Sequence, residues 1–432
     1  MFDTPPDVTA ALALCDRVDD CFLSGFSRLG SAQTDALASL VASFSGSPLE
    51  ARLNDAVAAI GRNELTGDTF LTLAIARASL LGAAHDALLL QAATALGRTL
   101  PDDVAGPAVL PWSGAPANLA QAVRHWLVEL AIAGFARVEA SALLPFTATI
   151  ERLCDDPALI RLSALLVGYH AELVASCPVP DAAAVPRRRW ADLWTRAMLL
   201  SVGAVHAEPT AVEGALVPMG IEVRQHGHVA SLVGHGWIGD TPVRVGMQAF
   251  KVAVVRGPEL FDLFKPQLTD VLAGFAGPAE LTVSGVLGVA GELQVKAAKV
   301  GKPIDTGALA DRLAKGGAAV VARIPAADRH PVLLSLPVGG RGSPEALGVP
   351  VRGWYDRSST LTDELGEVDH WVGLLRWDDG FFVQPLGAAV KAGKKLEWRS
   401  NAAYAKDKPK SRAKPALDVL RAKASKLLRQ KA

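Results

Sequence analysis

Apolar residues recur every three or four positions through the first half of the chain, and every second position through much of the second half. Val8, Leu12, Cys15, Val18 and Phe22 have helical spacing, and Pro5, Pro6 and Asp7 open that helix. Further helices are predicted over 31–43 and 48–60, the second with Ser47 as N-cap and Pro48 as first helical residue. A longer one starts at Thr66 and runs to Gly97, with a break expected near Gly82. The Pro/Gly-rich stretch 98–116 reads as a long loop. Helices are then expected over 117–139, 145–153 and 157–176, and no fixed repeat period is evident.

The helical pattern ends in a helix over 187–203. Trp190, Leu193, Trp194, Ala197 and Met198 make one apolar face of it. Asp192 has Arg188 and Arg196 as i,i+4 neighbours. Arg187, Arg188 and Arg189 crowd its first turn, where the helix dipole is positive and cations are disfavoured. They must therefore meet anions. One reading is an anion or partner site; the other is neutralisation by Asp or Glu elsewhere in the chain.

From about residue 211 the period changes to two. Turns are expected at His226 and Gly227, at Gly239 and Asp240, at Ala290 and Gly291, and at Asp378, Asp379 and Gly380, each between alternating arms. Helices are expected over 258–272 and 305–315, and strands over 318–324 and 331–336. The fold class is thus α+β: an all-α domain over 1–204, a mainly antiparallel β-rich domain over 211–387, and a basic tail over 388–432. The order hairpin, helix, strands suits a small barrel.

Net charge is zero, but unevenly spread. From Lys391 onward fourteen cations face three anions, so that segment carries +11 and residues 1–390 carry −11. Lys406, Lys408, Lys410, Arg412 and Lys414 lie in a Lys/Pro-rich link with no core-forming pattern. Over 416–430, Leu417, Leu420 and Leu427 form an apolar stripe, with Arg421, Lys423, Lys426 and Arg429 outside it. This predicts a short basic amphipathic helix that forms on contact with an acidic partner.

Chemical motifs are sparse. His226, His228 and His235 lie close in sequence and are weak metal candidates, read otherwise as turn or surface residues. His170 and Glu172 form an H-x-E pair without the P-C-x-x-C that zinc deaminases need. The stretch from Gly339 through Arg341 to Pro344 could cradle a phosphate, but lacks GK[ST] and a following long helix. Trp371, Trp377 and Trp398 stand beside the basic region; base stacking and core packing are the two readings, and even spacing puts Trp371 and Trp377 on one sheet face. The four cysteines form no CxxC pair and suit a reducing compartment. The uncharged window 104–123 contains Pro107, Pro111 and Pro116 and is a poor membrane span.

These features lead us to expect a cytoplasmic, non-enzymatic adaptor or subunit of a larger assembly, without cofactor, whose tail docks on an acidic protein surface. Nucleic-acid binding through the tail is the first alternative, and an enzyme with an interdomain site the second.

Overall fold

The computed structural model describes residues 2–100, 108–110, 117–156, 159–206, 209–226, 229–250, 260–288, 291–315, 328–352 and 367–402. The fold class expected from the sequence is borne out: helices come first and two antiparallel sheets follow. The helices are α1 (Pro6–Ser24), α2 (Ser31–Ala42), α3 (Glu50–Gly61), α4 (Gly67–Ala95), α5 (Ala117–Ala133), α6 (Ala140–Leu143), α7 (Thr147–Cys154), α8 (Ile160–Ser176) and α9 (Arg187–Leu200). β1 (Ala108–Leu110) pairs antiparallel with β2 (Ala204–His206).

Thr66, where the helix was expected to start, caps α4, its hydroxyl accepting from the Thr69 amide at 3.3 Å. The break at Gly82 does not occur. A helical glycine costs about 1 kcal/mol, and Leu73, Ala74, Leu81, Ala84 and Leu88 are buried on either side of it. The start of α3 also differs from expectation, since the helix begins at Glu50 and Ser47 belongs to the preceding turn.

The sequence hides an internal correspondence in these helices. α1 and α5 both end at a left-handed glycine followed by Phe, a variable residue and Arg: Gly25-Phe-Ser-Arg28 and Gly134-Phe-Ala-Arg137. Each stretch forms a short 3-10 turn, and Phe26 and Phe135 are both buried. Leu14, Val18 and Cys21 before the first glycine match Val123, Leu127 and Leu130 before the second, all in one core. The α9 tryptophans pack on this centre. Trp194 lies 4.6 Å from Phe22 and Trp190 5.7 Å from Phe135, ring to ring.

The first sheet has the order β5-β4-β3-β6-β7: β3 is Thr210–His226, β4 Val229–Ile238, β5 Thr241–Phe250, β6 Ala279–Leu287 and β7 Leu293–Pro303. The long β3 pairs with β6 over its first half and with β4 over its second. A parallel bridge from Arg244 to Glu292 brings β5 towards β7, so the sheet curls towards closure. α10 (Leu260–Ala276) joins β5 to β6 and seals the interior with Phe261, Phe264, Leu272 and Phe275. The five strands and α10 thus form a small, partly closed barrel.

α11 (Thr306–Ala314) leads towards the second sheet, ordered β11-β10-β9-β8. β8 is Leu336–Arg341, β9 Val368–Trp377, β10 Phe381–Ala392 and β11 Lys395–Ser400. The strand expected at 331–336 is instead a 3-10 turn, Pro331–Leu333, capped by His330, and β8 starts five residues later than expected. The hairpin at Asp378, Asp379 and Gly380 forms as expected, with Asp379 at φ 54°.

This sheet is covered on both faces. Trp371, Leu375, Trp377, Phe381 and Val383 pack with Ala84, Leu88 and Ala92 of α4 and Val8 of α1. Val372, Leu374 and Leu386 pack with Met219 and Trp237 of the barrel and with Leu309 and Leu313 of α11. Trp371 and Trp377 therefore share one face, as their spacing requires, and both are core residues. The sheet also extends beyond residue 387, where the tail was expected to begin. β10 runs to Ala392 and β11 follows, while residues 403–432 lie outside the described residues.

Candidate functional site

The first-turn arginines of α9 meet carboxylates of this same chain. Arg187 pairs with Asp20 at 2.6 Å, Arg188 with Asp16, and Arg189 with Glu172. Of the two readings offered by the sequence, intramolecular neutralisation accounts for all three. Asp192 does not pair with its helical neighbours as expected. It accepts from Arg77 of α4 at 2.6 Å and lies 3.2 Å from His330. Arg77 also makes a two-pronged contact with Asp19 of α1, at 2.7 and 2.9 Å. One buried guanidinium thus ties α1, α4 and α9 together. Burial pushes Asp19 up to about 6 in spite of Arg77. At Asp192 burial acts the same way, but Arg77 and His330 outweigh it and hold the carboxyl far below the usual range.

A second buried network joins the two sheets. Glu222 of β3 is 0% exposed and accepts from Arg376 of β9 at 2.6 Å, from Arg224 at 2.8 Å and from His235 at 3.1 Å. Arg376 further donates to Gln384 and to the Leu334 carbonyl. Burial opposes the charge on Glu222, yet Arg376 and Arg224 prevail and keep its carboxyl well below its ordinary value. His235 is therefore a mid-strand residue facing a carboxylate and not the turn residue expected. Burial lowers its basicity, so it donates as a neutral imidazole. His228 lies outside the described residues, as does the His226 side chain. No cluster of His, Cys, Asp or Glu that could hold a metal occurs among the described residues.

Other candidates resolve into structure. His170 Nε2 bonds the Leu143 carbonyl, and Glu172 is taken by Arg189. Gly339, Gly340 and Arg341 of the would-be phosphate cradle end strand β8, and Ser343 and Pro344 open a 3-10 turn. A Cβ on Gly339 would lie 2.8 Å from the Trp371 carbonyl, and Arg341 pairs with Asp311 and Asp369. Arg98, beyond the end of α4, donates to the carbonyls of Leu313 and Pro337 at 2.6 Å each, a cation at the negative end of α11.

The chain also builds a hydroxyl–imidazole–carboxylate chain where α11 meets β9. Thr306 Oγ1 is 2.7 Å from His370 Nε2, and His370 Nδ1 is 2.8 Å from Asp369 Oδ2. Sequence reasoning missed it, because Thr306 lies 64 residues from His370 and only the packing of α11 on the sheet unites them.

The tail's candidate residues, Lys406, Lys408, Lys410, Arg412, Lys414, Leu417, Leu420, Arg421, Lys423, Lys426, Leu427 and Arg429, lie outside the described residues. The chain that leads to them is firmly held. Ala402 is 0% exposed within the barrel core, and Asn401 donates to the Ile221 carbonyl at 3.3 Å. No protein-family model, curated protein or solved structure matches this chain.

Proposed function

We propose that this chain is an adaptor or subunit of a larger assembly, and that its cationic segment after Ala402 docks on an acidic surface of a partner protein. The supporting observation is how charge is placed relative to the fixed body. The α9 arginines are spent on Asp16, Asp20 and Glu172. Residues 403–432 carry ten cations against two anions, a net of +8, and the 402 residues before them carry −8. That segment departs from the anchored pair Asn401 and Ala402, beside the edge strand β11, whose Leu396 is 54% exposed. A tethered cation-rich segment next to a strand that is a sheet edge among the described residues suits protein docking.

The test is retention of partners from native extract by the full chain and by a chain ending at Ala402, each with and without nuclease. Retention by the full chain alone, surviving nuclease and lost on combined Leu417→Ala, Leu420→Ala and Leu427→Ala substitution, supports this reading. Equal retention by both chains overturns it.

A second reading, nucleic-acid binding, draws on the barrel. Five-stranded barrels of the oligonucleotide-binding type take oligonucleotides on the face of their second and third strands. In this chain part of that face is already occupied: Trp237 of β4 packs with Val372 and Leu374 of β9 and Leu386 of β10, and His235 bonds Glu222, to which Arg376 of β9 donates. Binding would then fall to the tail, and affinity would drop steeply with salt as counterions are released.

A further inference from the structure

Thr306 is the first residue of α11 and is partly exposed, while His370 is 4% exposed beneath it. The direction of the proton in this chain follows from the chemistry of its ends. A hydrogen bond from His370 holds Asp369 below the usual carboxylate range, so Asp369 is ionised and can only accept. His370 Nδ1 must then carry the hydrogen. In the neutral imidazole Nε2 is left with a lone pair, and that lone pair faces the Thr306 hydroxyl at 2.7 Å. Asp369 is itself steadied by Arg341 at 3.3 Å, and the indole of Trp398 lies 6.1 Å from the His370 ring. A nucleophile, a base and a group that orients the base are thus in sequence, which is the order acyl transfer requires.

We propose that Thr306, His370 and Asp369 form an acyl-transfer site that hydrolyses small uncharged or cationic esters. This is independent of the assembly reading above. Thr306 Oγ1 bonds to the acyl carbon as its proton passes to His370 Nε2. The ester C–O bond breaks, and the departing alkoxide takes that proton and leaves as the alcohol. Water then adds to the acyl-threonine carbon and gives its proton to His370. The carboxylic acid is released, and Thr306 regains its hydrogen. The substrate class follows from the surroundings. Asp305 directly precedes Thr306, Asp369 bonds His370, and Asp311 shares Arg341 with Asp369, so three carboxylates against one guanidinium border the site and an anionic ester is repelled.

The experiment uses the full chain with p-nitrophenyl acetate, the cationic ester acetylcholine and the anionic p-nitrophenyl succinate. The expected result is a burst of p-nitrophenolate, an acetyl group located on Thr306 by mass spectrometry, and at least tenfold slower turnover of the succinate. Thr306→Val, close in shape, should lower the rate more than tenfold, and Thr306→Ser should retain it with the acetyl group at the same position. Asp369→Asn should also cost more than tenfold, because the amide favours the wrong imidazole tautomer. A purely structural tie between α11 and β9 predicts instead that Thr306→Val lowers thermal stability while wild type shows no acylation. Absence of a burst, acetyl found only on lysine or cysteine, or equal rates in wild type and Thr306→Val overturns the proposal. Should Thr306→Val fail to fold, the Thr306→Ser and Asp369→Asn rates and the acetylated position decide it.

Discussion

Gly25 and Gly134 stand back to back, each leaving no room for a side chain on the other. A Cβ on Gly25 would lie 2.6 Å from the Ile132 carbonyl oxygen, and a Cβ on Gly134 would lie 2.5 Å from the Gly25 amide nitrogen. Both have positive φ, 90° and 87°, a region that L side chains rarely adopt. The obstacles are backbone atoms and cannot rotate away. Gly25→Ala and Gly134→Ala should therefore each destabilise the chain by about 3 kcal/mol or more, from strain and overpacking together. The two sites share one contact, so the double substitution should cost less than the sum of the singles. Urea denaturation of the four proteins measures this.

The ion pairs at the start of α9 predict the opposite scale. Arg188 and Asp16 pair at the surface, with the arginine side chain more than half exposed. Exposed pairs are screened and costly to order, so a double-mutant cycle on Arg188→Ala and Asp16→Ala should give a coupling of about 1 kcal/mol or less. It should fall further in high salt. A coupling of several kcal/mol would mean that the helix start depends on this pair.

Which parts of this fold were legible in the sequence depended on burial. Helices with one wet face declared themselves, as at Trp190 and Trp194, because apolar positions then alternate with charge at a helical period. β10 did not. It is buried on both faces from Phe381 to Val390, so its run of small and apolar residues shows no alternation, and its far half resembled the start of a tail. The repeated Gly-Phe-x-Arg turn was hidden for a different reason. Only a few residues are alike at its centre, and the flanking correspondence is of burial and not of residue type, as with Cys21 and Leu130. The partners of Arg187, Arg188 and Arg189 lie up to 172 residues away, and no local pattern reveals them. The same holds for Thr306 and His370.

The cysteines should divide into two kinds. Cys15 and Cys21 are buried in α1, and burial pushes both thiols up to about 12. At pH 8 almost no thiolate is present at either, so a disulfide-exchange reagent should find neither in the folded chain. Cys154 is exposed and Cys177 half-buried. Ellman's reagent should react quickly with Cys154, more slowly with Cys177, and with all four only after unfolding. Early labelling of Cys15 or Cys21 would show that α1 opens locally.

Arg376 and Glu222 set the strongest expectation for stability, because both are removed from water and face each other between the sheets at 2.6 Å. Glu222→Gln leaves a buried guanidinium without its ionised partner and should cost about 3–5 kcal/mol. Replacing both residues by apolar ones of similar size, Glu222→Leu with Arg376→Met, should recover much of that loss, since the desolvation of both charges is then relieved. The pair also fixes a pH dependence. The folded carboxyl of Glu222 is held well below the ordinary value of 4.5. Its contribution is therefore complete above that ordinary value and is lost as pH falls below it towards the folded value. Asp192 acts in the same direction below 3.8. Asp19 opposes them: raised from 3.8 to about 6, it makes the fold less stable as pH rises through that interval. Stability measured between pH 3 and 7 should thus fall on acidification below about 4.5, where Glu222 of the unfolded chain begins to take up a proton that the folded carboxylate refuses. In Glu222→Gln that part of the fall should be shallower, leaving Asp192 and other lowered carboxyls such as Asp86 to supply what remains. An unchanged slope in the variant would mean that Arg376 is neutralised by another group.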